Sequence, residues 1–207
     1  MTSRRTFLKL ALAAPALTAA AGTPGAAKAA AQVGDNGLHV QPWFLDSFMY
    51  LQEDLASAAA NSKNLAVLFE QRACPYCREM HQVNLANEKI TNYVRKNFDI
   101  LQLDMWGNRK VTDFDGKEYD EKDLARAWRV QFTPTIVFFP RAPEAVKGKS
   151  GFYAEVARMP GYFKPFHFIS MFEYVHEGAY AEEPSFQRYL QAKFKRMEER
   201  GEKPDIW

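Results

Sequence analysis

Cysteine is the scarcest reactive residue in this chain: of 207 residues, only Cys74 and Cys77 are cysteines. A bridge between them would close a loop of two intervening residues, too short to serve well as a structural staple. Redox chemistry is the better reading of the pair, with a soft metal site as the other functional option. Long apolar runs are lacking as well. The alanine-rich segment near the N-terminus is broken by Pro15 and falls short of the roughly 18 residues that a spanning helix needs. Excess charge of one sign is also absent, with 27 basic against 25 acidic residues and a formal net charge of +2. Four of the cations, Arg4, Arg5, Lys9 and Lys28, lie in an N-terminal segment without acids, and removing them leaves −2. That balance points to no nucleic-acid partner. At 47% hydrophobic residues, the remainder suffices for one domain with a full core.

The N-terminal segment itself is informative. Ser3-Arg4-Arg5-Thr6-Phe7-Leu8-Lys9 leads into Ala- and Leu-rich sequence ending at Ala29-Ala30-Ala31. Adjacent arginines, a moderately apolar stretch and small-residue cleavage positions have the form of a twin-arginine export signal. Ala27-Lys28-Ala29 and Ala29-Ala30-Ala31 both satisfy the A-x-A cleavage pattern, and no cysteine follows that would mark a lipoprotein. Residues 1–31 are therefore expected to be a signal peptide and residues 32–207 a periplasmic domain, with no stable membrane insertion after cleavage.

Cys74-Pro75-Tyr76-Cys77 follows the apolar run Leu65-Ala66-Val67-Leu68-Phe69 and precedes a helical segment from Arg78 to Asn87. A strand ending at such a motif places the first sulfur at a helix N-terminus, where unpaired N–H groups and the helix dipole favour the thiolate. The thiolate is the attacking species, so Cys74 reads as the nucleophile. Cys77, one turn further in and less exposed, reads as the resolving thiol. Pro75 suits the first helical turn, where its missing N–H is no loss.

With Phe132-Thr133-Pro134-Thr135 leading into a second apolar strand, Ile136-Val137-Phe138-Phe139, the chain resembles the thioredoxin superfamily. There a Cys-x-x-Cys is matched by a distant cis-proline loop. The resemblance implies a cis bond at Pro134, a Thr133 backbone free to pair with an extended substrate, and a substrate surface formed by Thr133, Pro75 and Tyr76. It also implies an α/β thioredoxin-like fold, a central mixed sheet flanked by helices, and no cofactor beyond the dithiol itself.

Taken in order, Trp43 to Ala60 has helical spacing of Phe44, Phe48, Leu51, Leu55 and Ala59. Lys63 to Phe69 reads as a strand buried on both faces. After the active-site helix, a break at Ala86-Asn87-Glu88 precedes a second helix and then a strand from Asp99 to Trp106. Strand, helix and strand imply a right-handed crossover and a parallel pair. Thr112 to Tyr119 reads as a hairpin insert about Asp115-Gly116, the pair that a tight type I′ turn favours. Placed at the C-terminal edge of the sheet, it would overhang the site. Trp106, Phe114 and Tyr119 then either contact a partner or cover the insert's own small core. Asp120 can cap the following helix. Lys147 to Gly151 reads as a turn between antiparallel strands, Pro165 to Tyr180 as a helix, and about 184–200 as an extra amphipathic helix capping a core of about 43–180.

Several residues around the motif invite roles. Thioredoxins carry a buried aspartate six residues before the first cysteine, where this chain has Leu68. A proton shuttle for Cys77 must then come from elsewhere or from water. Glu70 is one candidate, although a solvated strand-end carboxylate is its plainer role. Arg72 and Arg78 would each favour a nearby thiolate by charge, with screening. His81, one helical turn after Cys77, would complete a set of three soft or borderline ligands for copper or zinc; a surface or helix-packing histidine is the plainer role, and no metal site is assigned.

The resemblance extends to a narrower group. Phe69 to His81, Leu103-Asp104-Met105-Trp106-Gly107 and Val111 to Gly116 are similar to SoxW-type periplasmic thioredoxins of bacterial sulfur oxidation. What that implies is reduction of a disulfide, or of a blocked cysteine, on an exported sulfur-oxidation protein, with a membrane thiol-electron transporter as reductant. A thiol oxidase or isomerase, and a non-catalytic metallochaperone using the same sulfurs, stay open at this point.

Overall fold

The computed structural model describes residues 32–204, and the expected signal peptide lies outside the described residues. At its centre is a four-stranded mixed sheet whose strands lie in the order Phe98–Asp104, Asn64–Glu70, Thr135–Phe138 and Ala157–Pro160. β3 (Asn64–Glu70) runs parallel to β4 (Phe98–Asp104) and antiparallel to β7 (Thr135–Phe138), which pairs antiparallel with β8 (Ala157–Pro160). All seven residues of β3 are buried, because helices cover both sheet faces. Alternation divides them: Leu65, Val67 and Phe69 enter one core, while Ala66 and Leu68 enter the other. The first core is closed by Leu51, Leu55 and Ala58 of α1 (Leu51–Ala60) and by Leu124 and Ala125 of α4 (Glu121–Ala127). Ile90 and Val94 of α3 (Glu88–Asn97) and Phe168 and Phe172 of α7 (Pro165–His176) close the second. The expected thioredoxin-like α/β fold is present, with a further C-terminal helix, α8 (Phe186–Glu199).

The elements differ from the sequence expectations in specific places. The first helix begins at Leu51 rather than Trp43. Ser47 Oγ accepts the Met49 N–H at 2.7 Å and donates to Asp54 at 2.6 Å, while Met49 adopts a φ of 67°, outside any right-handed helix. Trp43 and Phe44 instead pack against the second core. Ahead of them, β1 (Gln32–Val33) and β2 (His39–Val40) form a small hairpin. The active-site helix divides into α2 (Pro75–Glu79) and a π-helical turn (Met80–Asn84), and Asn87 caps α3 through hydrogen bonds from Lys89 N and Ile90 N.

The insert is a hairpin of β5 (Lys110–Thr112) and β6 (Glu118–Asp120), but its connection is longer than a type I′ turn. Gly116 N–H returns to Asp113 O at 2.9 Å, and within this loop only Gly116 has positive φ. Asp120 sits at the N-cap of α4 without a side-chain cap, since Lys110 holds its carboxylate at 3.0 Å. The expected turn at Lys147–Gly151 is present but joins two short helices, α5 (Pro143–Val146) and α6 (Gly151–Ala154), rather than antiparallel strands. Buried Asp113 organises the second, accepting from Gly151 N at 3.0 Å, Phe114 N at 2.8 Å and Trp128 Nε1 at 3.0 Å. Gly151 is required there, because a Cβ would lie 2.0 Å from the Trp128 ring. α7 stops at His176, before the expected Tyr180, as Gly178 turns left-handed at φ 70°. Finally, α8 covers Tyr174 with Phe186 and Tyr189, at ring separations of 5.6 and 5.0 Å.

Candidate active site at the Cys74–Cys77 turn

β3 delivers the chain to a tight turn in which Ala73 adopts a φ of 55°, a conformation that costs a non-glycine residue about 1–2 kcal/mol. Cys74 follows as the N-cap of α2, with Pro75 at the first helical position. Cys74 and Cys77 form a disulfide with Cα atoms 5.2 Å apart. Cys74 retains 3% exposure and Cys77 none, which is the expected order of accessibility. The Cys77 amide donates to Cys74 Sγ at 3.0 Å, so the helix end itself supplies one hydrogen bond to the first sulfur.

A second comes from across the sheet. The Thr133–Pro134 peptide bond is cis, and Thr133 faces Cys74. Its hydroxyl donates to Cys74 Sγ at 3.4 Å and its carbonyl oxygen lies 3.6 Å from the same atom. Two bonds brace this loop: Thr135 Oγ1 donates to Phe132 O at 2.7 Å, and Gly161 N donates to Pro134 O at 2.7 Å. Gly161 can make that turn because its φ is 82°. β7 begins only at Thr135, so the Thr133 peptide groups take no part in the sheet ladders.

Beside the sulfurs runs an open groove of about 650 Å³ between Tyr76, Thr133, Tyr162 and Trp106. Tyr76, Trp106 and Phe132 are each about three-fifths exposed, a concentration of aromatic surface at one site. Trp106 is held in place by its indole N–H donating to Gln71 Oε1 at 2.7 Å and its amide to Asp104 Oδ1 at 2.9 Å. The loop bearing it wraps a buried carboxylate, Glu121, which accepts from Asp104 N, Arg109 N and the Arg109 guanidinium. Phe114, by contrast, is buried against Trp128 and Phe139, and Tyr119 packs against the same core. Of the three aromatics considered as partner contacts, only Trp106 is at the groove.

Glu70 is not the solvated strand-end carboxylate expected: it has no exposure. β3 runs one residue further than expected and carries Glu70 onto the inward face shared with Ala66 and Leu68. His81, also buried rather than at the surface, places Nε2 3.2 Å from Glu70 Oε2. Gln102 donates to the same carboxylate oxygen, and Gln41 Nε2 lies 3.1 Å from His81 Nδ1. His39 lies beside His81, its ring tilted by 42° with the centroids 5.6 Å apart. Burial holds its ring below the usual imidazole range; the neighbouring His81 and the Arg78 guanidinium act in the same direction, and Glu70 opposes them. The arginines themselves are exposed; Arg72 packs its stem on Gly37, and the hydrogen bonds to Cys74 Sγ come from Cys77 and Thr133. Among the described residues, no group of three or more His, Cys, Asp or Glu side chains is placed to hold a metal ion. No helix of the described residues is long and apolar enough to cross a membrane.

Sequence reasoning missed Gln41, Gln102 and Glu121. The first two are polar residues with no motif around them, and Glu121 was hidden beside Asp120 and Asp123, which look equally like helix-cap residues.

Among solved structures, a thioredoxin-fold protein from Helicobacter pylori is 21% identical at a TM-score of 0.48, covering 70% of this chain and 92% of its own. A thioredoxin from Thermus thermophilus is 25% identical at 0.48, covering 67% and 95%. The C-terminal domain of Neisseria meningitidis DsbD in its oxidised form is 16% identical at 0.42, covering 64% and 97%. No curated protein matches the chain. A family model described as a thioredoxin-like domain matches residues 51–176, a span holding Cys74, Cys77, Thr133 and Pro134. That family and the bridged cysteine pair support thiol–disulfide oxidoreductase chemistry in general terms. The match takes in more than half of the sequence, and the chain belongs to the thioredoxin-like domain family.

Proposed function

We propose that this protein is an exported thiol–disulfide oxidoreductase that reduces disulfides or blocked cysteines on periplasmic sulfur-oxidation proteins. The observation that carries the exchange chemistry is the Cys74–Cys77 bridge at a helix N-terminus, with its first sulfur facing Thr133 beside an open aromatic groove. The twin-arginine segment supports the compartment, and the SoxW-like stretches support the pathway. Electrons reach the pair from a membrane thiol transporter.

In the reduced protein, the Cys74 thiolate attacks one sulfur of the substrate disulfide. A mixed disulfide forms and the other substrate sulfur leaves as a thiolate. Donation from Cys77 N–H and Thr133 Oγ1 stabilises the negative sulfur before attack. Cys77 then attacks Cys74 Sγ, which closes the bridge and releases the reduced substrate. The groove between Tyr76 and Trp106 receives the segment flanking the substrate cysteine, and the Thr133 peptide groups pair with its backbone.

The test is Cys77→Ser in a periplasmic extract. It should accumulate a mixed disulfide through Cys74 with a sulfur-oxidation protein, released by dithiothreitol and absent from a Cys74→Ser/Cys77→Ser control. Capture of only unrelated proteins would remove the pathway while keeping the chemistry. No captured protein at all would count against exchange.

A further inference from the structure

The mechanism above leaves the Cys77 proton without a destination. Cys77 is fully buried, and the position six residues before Cys74 is occupied by Leu68, also buried at 1% exposure and incapable of taking a proton. The buried ionisable pair on this sheet face is Glu70 with His81, whose side chains are both 0% exposed. We propose that Glu70 and His81 act as the proton acceptor that frees the Cys77 thiolate when the mixed disulfide is resolved; this rests on the exchange reading.

Three observations converge. Glu70 precedes the cysteine turn by four residues and His81 follows Cys77 by four, so the two chain segments that flank the disulfide meet in one hydrogen bond of 3.2 Å. Glu70 Oε2 is occupied by His81 and Gln102, but Glu70 Oε1 is buried with no hydrogen-bond partner among the described residues. Buried polar atoms are nearly always satisfied, and an orphaned carboxylate oxygen in a closed interior is a place for a proton to arrive. An outlet exists as well. With Gln41 donating to His81 Nδ1, the Nε2–H of the ring faces Glu70, and both His81 and Gln41 line a cavity of about 540 Å³ between the N-terminal hairpin and α3.

The charged and titratable groups around the pair come from every neighbouring element. His39 approaches from β2, Arg78 from α2, and Asp104 lies beside Glu70 in the register of β3 and β4. Glu88 and Arg95 of α3 line the same cavity. The step balances without an added reactant. Cys77 S–H gives its proton to the pair, and its electron pair forms the Cys77–Cys74 bond while the Cys74–substrate S–S bond breaks. The substrate sulfur departs with that bonding pair and takes up a proton returned through the pair or from water. The cysteine pair is oxidised by two electrons and the substrate disulfide is reduced by two.

Rapid mixing of the reduced full chain with 5,5′-dithiobis(2-nitrobenzoate) separates the two half-reactions. Attack by Cys74 releases a first thionitrobenzoate, and closure by Cys77 releases a second. Wild type is expected to release both, with a second phase whose rate rises through a midpoint set by the pair. Glu70→Gln and His81→Gln should each slow that phase about tenfold or more at neutral pH and move its midpoint alkaline by about one unit, with the first phase within about twofold. A second phase with unchanged rate and midpoint in both variants would overturn the proposal. If the variants do not fold, nuclear magnetic resonance titration of the wild-type His81 ring decides. A midpoint that differs between the disulfide and dithiol forms supports the coupling, and one that does not contradicts it. Release of a single thionitrobenzoate by wild type would instead sink the exchange reading, and this proposal with it.

Discussion

Thr133 presents two groups to one atom: its hydroxyl stands 3.4 Å and its carbonyl oxygen 3.6 Å from Cys74 Sγ. The hydroxyl favours a negative sulfur and the carbonyl disfavours one, so the residue balances the nucleophile's readiness. Thr133→Val keeps the shape and removes only the donor. The rate of Cys74 alkylation by iodoacetamide should then fall several-fold at neutral pH, about the value of one hydrogen bond of roughly 1 kcal/mol. An unchanged rate would show that the Cys77 amide alone sets the sulfur's reactivity.

Trp106 is expected to matter for protein substrates and not for small ones. It is exposed at the groove and fixed by Gln71, so Trp106→Ala removes contact area without opening the core. KM for a disulfide-bonded peptide should rise about tenfold, the value of an aromatic contact of roughly 1.5 kcal/mol, while turnover of a small aromatic disulfide changes little. Equal effects on both substrates would remove Trp106 from substrate recognition.

Glu121 predicts a stability loss that propagates to the site. Its buried carboxylate ties Asp104, Arg109 and the loop that carries Trp106, and a Cβ at Gly107 would sit 2.0 Å from Glu121 Oε2. Glu121→Gln exchanges an acceptor oxygen for a donor facing N–H groups. It should lower the unfolding free energy by about 2–3 kcal/mol in urea titrations, and its indole fluorescence should change as Trp106 loosens.

How far the site was legible follows from such residues. Cys74, Cys77, Thr133 and Pro134 announce themselves because their chemistry needs fixed residue types at fixed spacing. β3 is equally plain, as a strand buried on both faces must be an uninterrupted apolar run. Glu70 and His81 were visible only as single letters. Their meeting depends on β3 extending through Glu70 and on which segment covers its inner face, a tertiary fact with no local signature. The first helix shows the opposite failure: Phe44 and Phe48 fit helical spacing, but Ser47 and Met49 turn the chain before the helix starts, leaving Phe48 93% exposed. The two short helices from Pro143 to Ala154 depend on Asp113, far away in sequence, receiving the Gly151 amide.

Acid should destabilise the fold through two histidines. Burial holds His39 and His176 below the ordinary imidazole value of 6.5, so the native state resists protonation that the unfolded chain accepts. Between those lowered values and 6.5 the unfolded state binds more protons, and stability therefore increases with pH. Their contribution is complete above 6.5 and is lost as pH falls through the lowered values. Urea midpoints compared at about pH 7.5 and 5.5 should show this loss, and His39→Gln should reduce it. An unchanged pH dependence in that variant would exclude His39 as a contributor.

The reduction potential of the purified protein equilibrated against dithiothreitol tests most directly whether Cys74 and Cys77 form an exchanging pair poised to reduce protein disulfides. A reversible two-electron couple at about −270 mV is expected. A value near about −120 mV would make the protein an oxidant and contradict the direction of electron flow, and a pair still bridged below about −300 mV would mark a structural disulfide and contradict exchange altogether.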